Sequence, residues 1–157
     1  MKPMLPSLTR AALALCLALP FAITAAPAAE PAPGLFTEEE MSEMVTTDTG
    51  LKYVDVKVGE GEAVQKGDKL KMHYTGKLIE NGQKFDSSKD RGQPFPYQHQ
   101  ISGVIEGWKQ GVDGMKVGGV RKLWIPYRLG YGARGAGGAI PPNADLFFEI
   151  EILEKTN

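Results

Sequence analysis

Residues 130–153 read "GYGARGAGGAIPPNADLFFEIEIL", and the way this stretch divides decides the fold. Its first six residues, Gly130-Tyr131-Gly132-Ala133-Arg134-Gly135, spell G-x-G-x-x-G, the spacing that cradles a dinucleotide pyrophosphate. That motif works only between a strand and a helix, because the phosphates sit on the N–H groups of a helix N-terminus. "VRKLWI" (120–125) supplies a strand before it. After it come Pro141 and Pro142, then "ADLFFEIEIL" (144–153), in which Leu146, Phe148, Ile150 and Ile152 share one face opposite Glu149 and Glu151. That is strand periodicity. No helix begins where the phosphate would need one, so the glycines serve a loop between two strands.

The segments upstream have the same texture. In "LKYVDVKVG" (51–59), Val54, Val56 and Val58 alternate with Asp55 and Lys57; in "GDKLKMHYTGKLI" (67–79), Leu70, Met72 and Tyr74 share a face. Asn81-Gly82, between "GKLIE" and "QKFDSS", is a two-residue hairpin signal because both residues tolerate positive φ. One helix is visible. In "VIEGWKQGVDGM" (104–115), Ile105, Trp108, Val112 and Met115 recur at helical spacing. Gly107, Gly111 and Gly114 each cost about 1 kcal/mol relative to alanine, so this helix needs a sheet to lie on. The prediction is an α+β domain: an antiparallel sheet of about five strands wrapped around one short α-helix.

The 157 residues fit one domain preceded by a leader. Lys2 and Arg10 introduce the apolar run "AALALCLALPFAI" (11–23), and small residues follow, with Ala26-Pro27-Ala28 fitting the A-x-A pattern. Residues 1–28 therefore read as a signal peptide cleaved near Ala28, with the protein periplasmic or secreted. Residues 29–48 read as a loose leader in which Thr37 and Glu40 have capping-box spacing for a short helix. The domain proper is assigned to 49–157. Cys16, the only cysteine, lies inside the signal, so the processed chain has neither disulfides nor thiol chemistry. Cleavage leaves 16 basic against 19 acidic residues with no basic block, which argues against nucleic acid as a partner. His73 and His99 stand 26 positions apart without cysteine, a spacing that suggests no metal site and two structural or solvated histidines. No cofactor is called for. Ser87 and Ser88 have no histidine partner recognisable from the sequence.

The sequence does offer aromatic residues on separate elements: Tyr74, Phe85, Phe95, Trp108, Tyr131 and Phe148, with Asp86 following Phe85. Together with "HYTGKL" (73–78), "NGQKFDSSKDRGQPF" (81–95), "VIEGWKQGVDGMKVGG" (104–119) and "YGARGAGGAIPPNADLFFEIEIL" (131–153), in that order, they resemble the FKBP-type peptidyl-prolyl cis/trans isomerases from about Thr49 to Lys155. The resemblance implies a pocket walled by Tyr74, Phe85, Phe95 and Phe148 with Trp108 as its floor. It implies that the Ile105 N–H meets a substrate carbonyl, with Val104 beside it. Asp86 takes the place of the pocket carboxylate with Arg91 near it, Tyr131 offers its hydroxyl from a mobile loop, and Ile140 closes the rim. Gly103, Ala136 and Ala139 depart from the best-known pattern and bear on substrate preference. The implied partners are proline-containing unfolded or partly folded polypeptides and the family's macrolide inhibitors, bound by a monomer. A chaperone role is a second reading. The loop before the last strand has about ten residues between Tyr131 and Pro141, too few for the chaperone insertion some relatives carry there.

Overall fold

The computed structural model describes residues 30–156. The expected signal peptide, 1–28, lies outside the described residues. Seven strands form one antiparallel sheet: β1 (Val45–Thr46), β2 (Lys52–Lys57), β3 (Lys69–Leu78), β4 (Lys84–Ser87), β5 (Phe95–Gln98), β6 (Val120–Ile125) and β7 (Leu146–Lys155). The order is β1-β2-β6-β7-β3-β4, with β5 also on β3. β4 pairs with Thr75–Lys77 and β5 with Lys69–Met72, so the two occupy successive stretches of one edge. The sheet thus has five strand positions, as the alternation predicts, plus the two-residue β1 at the far edge.

Period-two patterning fixes which face is inside. Along β3, Leu70, Met72, Tyr74 and Leu78 are buried on the concave face, and Leu146, Phe148, Ile150 and Ile152 of β7 join them. The helix α2 (Glu106–Val112) lies in that concavity. It approaches closely because it is glycine-rich: a Cβ at Gly107 would stand 2.4 Å from the Ile125 side chain, and one at Gly111 2.5 Å from Leu123. The helix is shorter than the 104–115 spacing predicts. Ile105 is its N-cap and offers no capping side chain, and Gly114, at φ +69°, turns the chain away soon after Val112.

Two expectations are corrected. The β3–β4 connection is not a two-residue turn, for it runs from 79 to 83. Only Gly82 takes positive φ (+71°), and the Leu78 N–H donates to the Gln83 carbonyl at 2.9 Å. The extra length arises because Ile79, 1% exposed, turns inward to a second apolar cluster on the convex face. The leader is not loose across its described part either. Ala32 and Leu35 are buried in that same cluster with Ile79, Trp124 and Phe147. The Phe36 ring stacks on Trp124 (6.3 Å) and meets Phe147 edge-on (5.2 Å). The helix α1 (Glu38–Ser42) follows, and its capping box forms: Thr37 Oγ1 accepts from the Glu40 N–H, and Glu40 Oε2 accepts from the Thr37 N–H. Glu40 also pairs with Lys122 on β6 at 2.8 Å, both side chains mostly buried. Burial opposes ionisation of Glu40, but the bonds from Lys122 and Thr37 outweigh it and hold its pKa below the ordinary value. A segment read as leader is thereby fastened across the back of the sheet.

Candidate active site

A cavity of about 440 Å³ opens between α2, β3, the β4–β5 edge and the loop joining β6 to β7. Each neighbouring element sends at least one side chain into it. β3 provides Tyr74, β4 Phe85 and Asp86, β5 Phe95, and β7 Phe148. The start of α2 provides Val104, Ile105 and Trp108, and the long loop provides Tyr131 and Ile140. Ten of the eleven residues expected at the site therefore line one cavity. Arg91 does not line it and stands behind two residues that do. Gly103, Ala136 and Ala139 are on the rim, which makes that side of the mouth small and uncharged.

Trp108 is 4% exposed and sits among four rings: Tyr74 at 5.0 Å, Phe148 at 5.2 Å, Phe95 at 5.9 Å and Tyr97 at 6.1 Å, all near-perpendicular. Edge-to-face contacts of this kind fix ring orientation and are each worth about 0.5–1.5 kcal/mol beyond area burial. The indole N–H is buried without an acceptor among the described residues. Gly76 is needed opposite it, since a Cβ there would come within 2.7 Å of both the Phe85 and Phe148 rings. The Ile105 N–H precedes the first helical turn and has no protein acceptor among the described residues.

Asp86 is the only ionisable carboxyl in the lining. Its Oδ2 accepts from the Tyr74 hydroxyl at 2.5 Å and its Oδ1 from Arg91 Nη1, while Arg91 Nη2 donates to the Tyr74 oxygen at 2.7 Å. Burial is the largest single influence on Asp86 and opposes its charge, but the Tyr74 and Arg91 bonds outweigh it and hold the pKa below the ordinary carboxylate value. Tyr74 is pushed up by burial and by its bond to Asp86, with Arg91 partly opposing. Tyr131, 40% exposed, is pushed up by burial and then by the Asp86 charge. At neutral pH the site therefore holds one carboxylate, neutralised by Arg91, and two neutral phenols.

The glycine-rich loop has a defined form. Ala136 and Ile140 exchange two backbone hydrogen bonds (2.9 and 3.0 Å), making a small hairpin that presents both residues to the cavity. Gly135, at φ +66°, is required at its base because a Cβ would stand 2.1 Å from the Ile140 carbonyl oxygen.

Sequence reasoning missed three arrangements around the site. Ser88 does have a histidine partner: its Oγ lies 2.9 Å from His73 Nδ1. It is no nucleophile, since Ser88 is fully buried and its Oγ also accepts from the Tyr74 N–H at 2.9 Å. The pair pins β4 to β3 beside the pocket tyrosine. His99, also fully buried, lies between the Tyr97 hydroxyl (3.2 Å) and Asp113 (3.0 Å), which makes it structural rather than solvated. Arg121 on β6 forks onto both oxygens of Asp55 on β2 (2.7 and 2.9 Å) and donates to the Gly111 and Asp113 carbonyls at the end of α2. Only the alternation of β2 and β6 hinted at Asp55 and Arg121, and nothing in it showed that they meet.

A short helix cradled by a twisted antiparallel sheet, with an aromatic cavity at the helix start, defines a class of proteins. The family model for "FKBP-type peptidyl-prolyl cis-trans isomerase" matches residues 60–153, more than half of the chain. The chain is 53% identical over 105 residues to the FK506-binding protein of Neisseria meningitidis serogroup B, an alignment covering 67% of this chain and 95% of that one. It is 54% identical over 88 residues to the peptidyl-prolyl cis-trans isomerase FPR2 of Saccharomyces cerevisiae, covering 56% of this chain and 65% of that one. Among solved structures, that of AtFKBP13 superposes with a TM-score of 0.68 at 44% identity, covering 73% of this chain and 99% of that one. FkpA from Escherichia coli gives 0.66 at 42% identity, with 73% of this chain matched to 52% of that longer one. The chain belongs to the FKBP-type peptidyl-prolyl cis-trans isomerases.

Proposed function

We propose that this isomerase accelerates Xaa-Pro rotation in exported proteins as they fold, by stabilising a twisted amide in the aromatic cavity. The observation that carries the reading is the cavity itself: six rings, one neutralised carboxylate and the Ile105 backbone N–H, which has no acceptor among the described residues. Amide resonance opposes rotation with a barrier of about 18–20 kcal/mol, and uncatalysed Xaa-Pro exchange takes tens to hundreds of seconds. The planar amide is the more polar form. The twisted form has lost charge separation and suits a dry site, where the Ile105 N–H holds the substrate carbonyl and the Tyr131 hydroxyl reaches it from the loop. Each 1.36 kcal/mol of preference for the twisted form is tenfold in rate, so about 5 kcal/mol supplies three to four powers of ten. No proton transfer or covalent intermediate is needed.

The test is kcat/KM for Leu-Pro and Phe-Pro peptides as a function of pH. Asp86 titrates below and Tyr131 above the usual values, so both limbs move outward from neutrality. The profile is expected to be flat from roughly pH 5.5 to 8.5. An acid–base mechanism through His73 or His99 would instead show a limb inside that window. Such a limb, abolished by substituting either histidine, would overturn the mechanism.

Ligand binding is read by fluorescence. Trp108 should be quenched or shifted by FK506, whereas Trp124, on the convex face beneath Phe36, should respond little. Trp108→Leu is expected to abolish the response and weaken binding, and an undiminished response would place the ligand elsewhere. Export rests on the 1–28 segment. Protein recovered from the periplasm should begin at or near Ala29, and intact Met1 in the membrane fraction would contradict processing.

A further inference from the structure

The loop between β6 and β7 brings Tyr131, Ala136, Ala139 and Ile140 to the cavity, yet it leaves the sheet on one strand and returns on another. The β6–β7 ladder ends at the pair Ile125–Leu146. One step beyond stands Asp145, and its contacts cross the neck of the loop. Its Oδ1 accepts from the Tyr127 N–H at 2.9 Å, and its Oδ2 accepts from the Trp124 indole N–H at 3.0 Å. Its carbonyl accepts from the Ile79 N–H at 3.1 Å, which ties the same point to the end of β3.

We infer that Asp145 is a positioning residue for catalysis, closing the neck of the pocket loop through Tyr127 and Trp124. The carboxylate extends the ladder beyond its last backbone pair, where the chain would otherwise be free to splay. A long loop held only at its tip retains much of its conformational freedom, whereas one closed at its base presents its side chains at fixed positions. The tip supplies its own order through the Ala136–Ile140 bonds, and Asn143 N–H donates to the Gly132 carbonyl at 3.0 Å. Neither of those bonds fixes the loop relative to the sheet. Asp145 does, because Trp124 belongs to β6 and is itself clamped on the convex face between Phe36 and the Lys52 ammonium, 4.4 Å from its ring. Asp145 touches neither the cavity nor a reacting atom, so its effect passes through the placement of Tyr131 and Ile140.

The test uses the full chain assayed at least 10 °C below each variant's own Tm. Asp145→Ala removes both side-chain bonds and should lower kcat/KM about tenfold, mainly through KM. Trp124→Phe keeps an apolar ring but deletes one donor and should lower kcat/KM about threefold. Asp145→Asn, which still offers one acceptor oxygen, should restore most of the loss. Adding Trp124→Phe to Asp145→Ala should cost nothing further in kcat/KM, since the bond is already gone. Amide hydrogen exchange at Tyr127 and Ile140 should quicken in Asp145→Ala while that at Met72 does not. Unchanged kcat/KM and loop exchange in the folded variants, with only Tm lowered, would make Asp145 merely structural and overturn the assignment. If Asp145→Ala does not fold, Trp124→Phe and Asp145→Asn decide the matter by the same readouts.

Discussion

Phe148→Ala is expected to remove most of the isomerase activity, at least a hundredfold in kcat/KM, and to lower stability by about 3–5 kcal/mol. Phe148 is 3% exposed and holds Trp108, Phe85 and Tyr74 at ring separations of 5.2, 5.5 and 6.2 Å. It also packs into the space left by Gly76. Truncation deletes the contacts of a whole ring and opens a void beside an existing cavity, which water can then enter. On the proposed mechanism the stability loss belongs to the void and the activity loss to the water, since a wet site would no longer discriminate the twisted from the planar amide. Phe148→Leu separates the two, retaining much of the packing. Chemical denaturation and a peptide isomerisation assay on both variants provide the check. Activity within threefold of the parent in Phe148→Ala would show that a dry wall is not what accelerates rotation.

Arg121→Ala is expected to destabilise by roughly 3 kcal/mol, which lowers Tm by on the order of 10 °C. Arg121 is 8% exposed, its guanidinium lies 4.3 Å from the Tyr53 ring centre, and it donates four hydrogen bonds, two to Asp55 and two to the Gly111 and Asp113 carbonyls at the end of α2. Removing it strands a carboxylate and leaves the helix C-terminus without its cation, where the macrodipole favours one. Asp55 retains some access to water, with its side chain 33% exposed, which keeps the loss at the lower end of the range for broken buried pairs. Arg121→Lys should recover little, because an ammonium cannot fork onto a carboxylate and reach two carbonyls together. Thermal melts decide it: a Tm within about 2 °C of the parent would show that the network carries no net stability.

Five of the seven strands, the helix and ten of the cavity residues were legible because they follow from local periodicity and from motifs read in order; β1 and β5 are too short to show a period. Alternation in "KLKMHY" or "FFEIEI" states directly which side chains face inward. What escaped was decided by meetings between distant segments. Asp55 and Arg121 are 66 positions apart, and each looks like an ordinary outward-facing charge on its strand. His73 and Ser88 meet only because β4 returns beside β3. The hairpin was misjudged because Asn81-Gly82 has the right chemistry for a tight turn, while Ile79, two residues earlier, has a competing place in the convex-face cluster. The leader was misread for a similar reason. A proline- and alanine-rich composition does not show where a segment packs, and here Ala32, Leu35 and Phe36, with the Glu40–Lys122 pair, fasten it to the back of the sheet.

That fastening sets the true edge of the folding unit. The family match begins at residue 60, but a fragment cut there would expose the indole of Trp124 and the ring of Phe147 side by side on a sheet surface. Such a fragment could keep every cavity side chain and still be a poor reagent, prone to stick to itself through a patch the intact chain never shows. Affinity tags, fusion partners and surface-attachment points therefore belong upstream of Ala32, where they leave the back of the sheet covered.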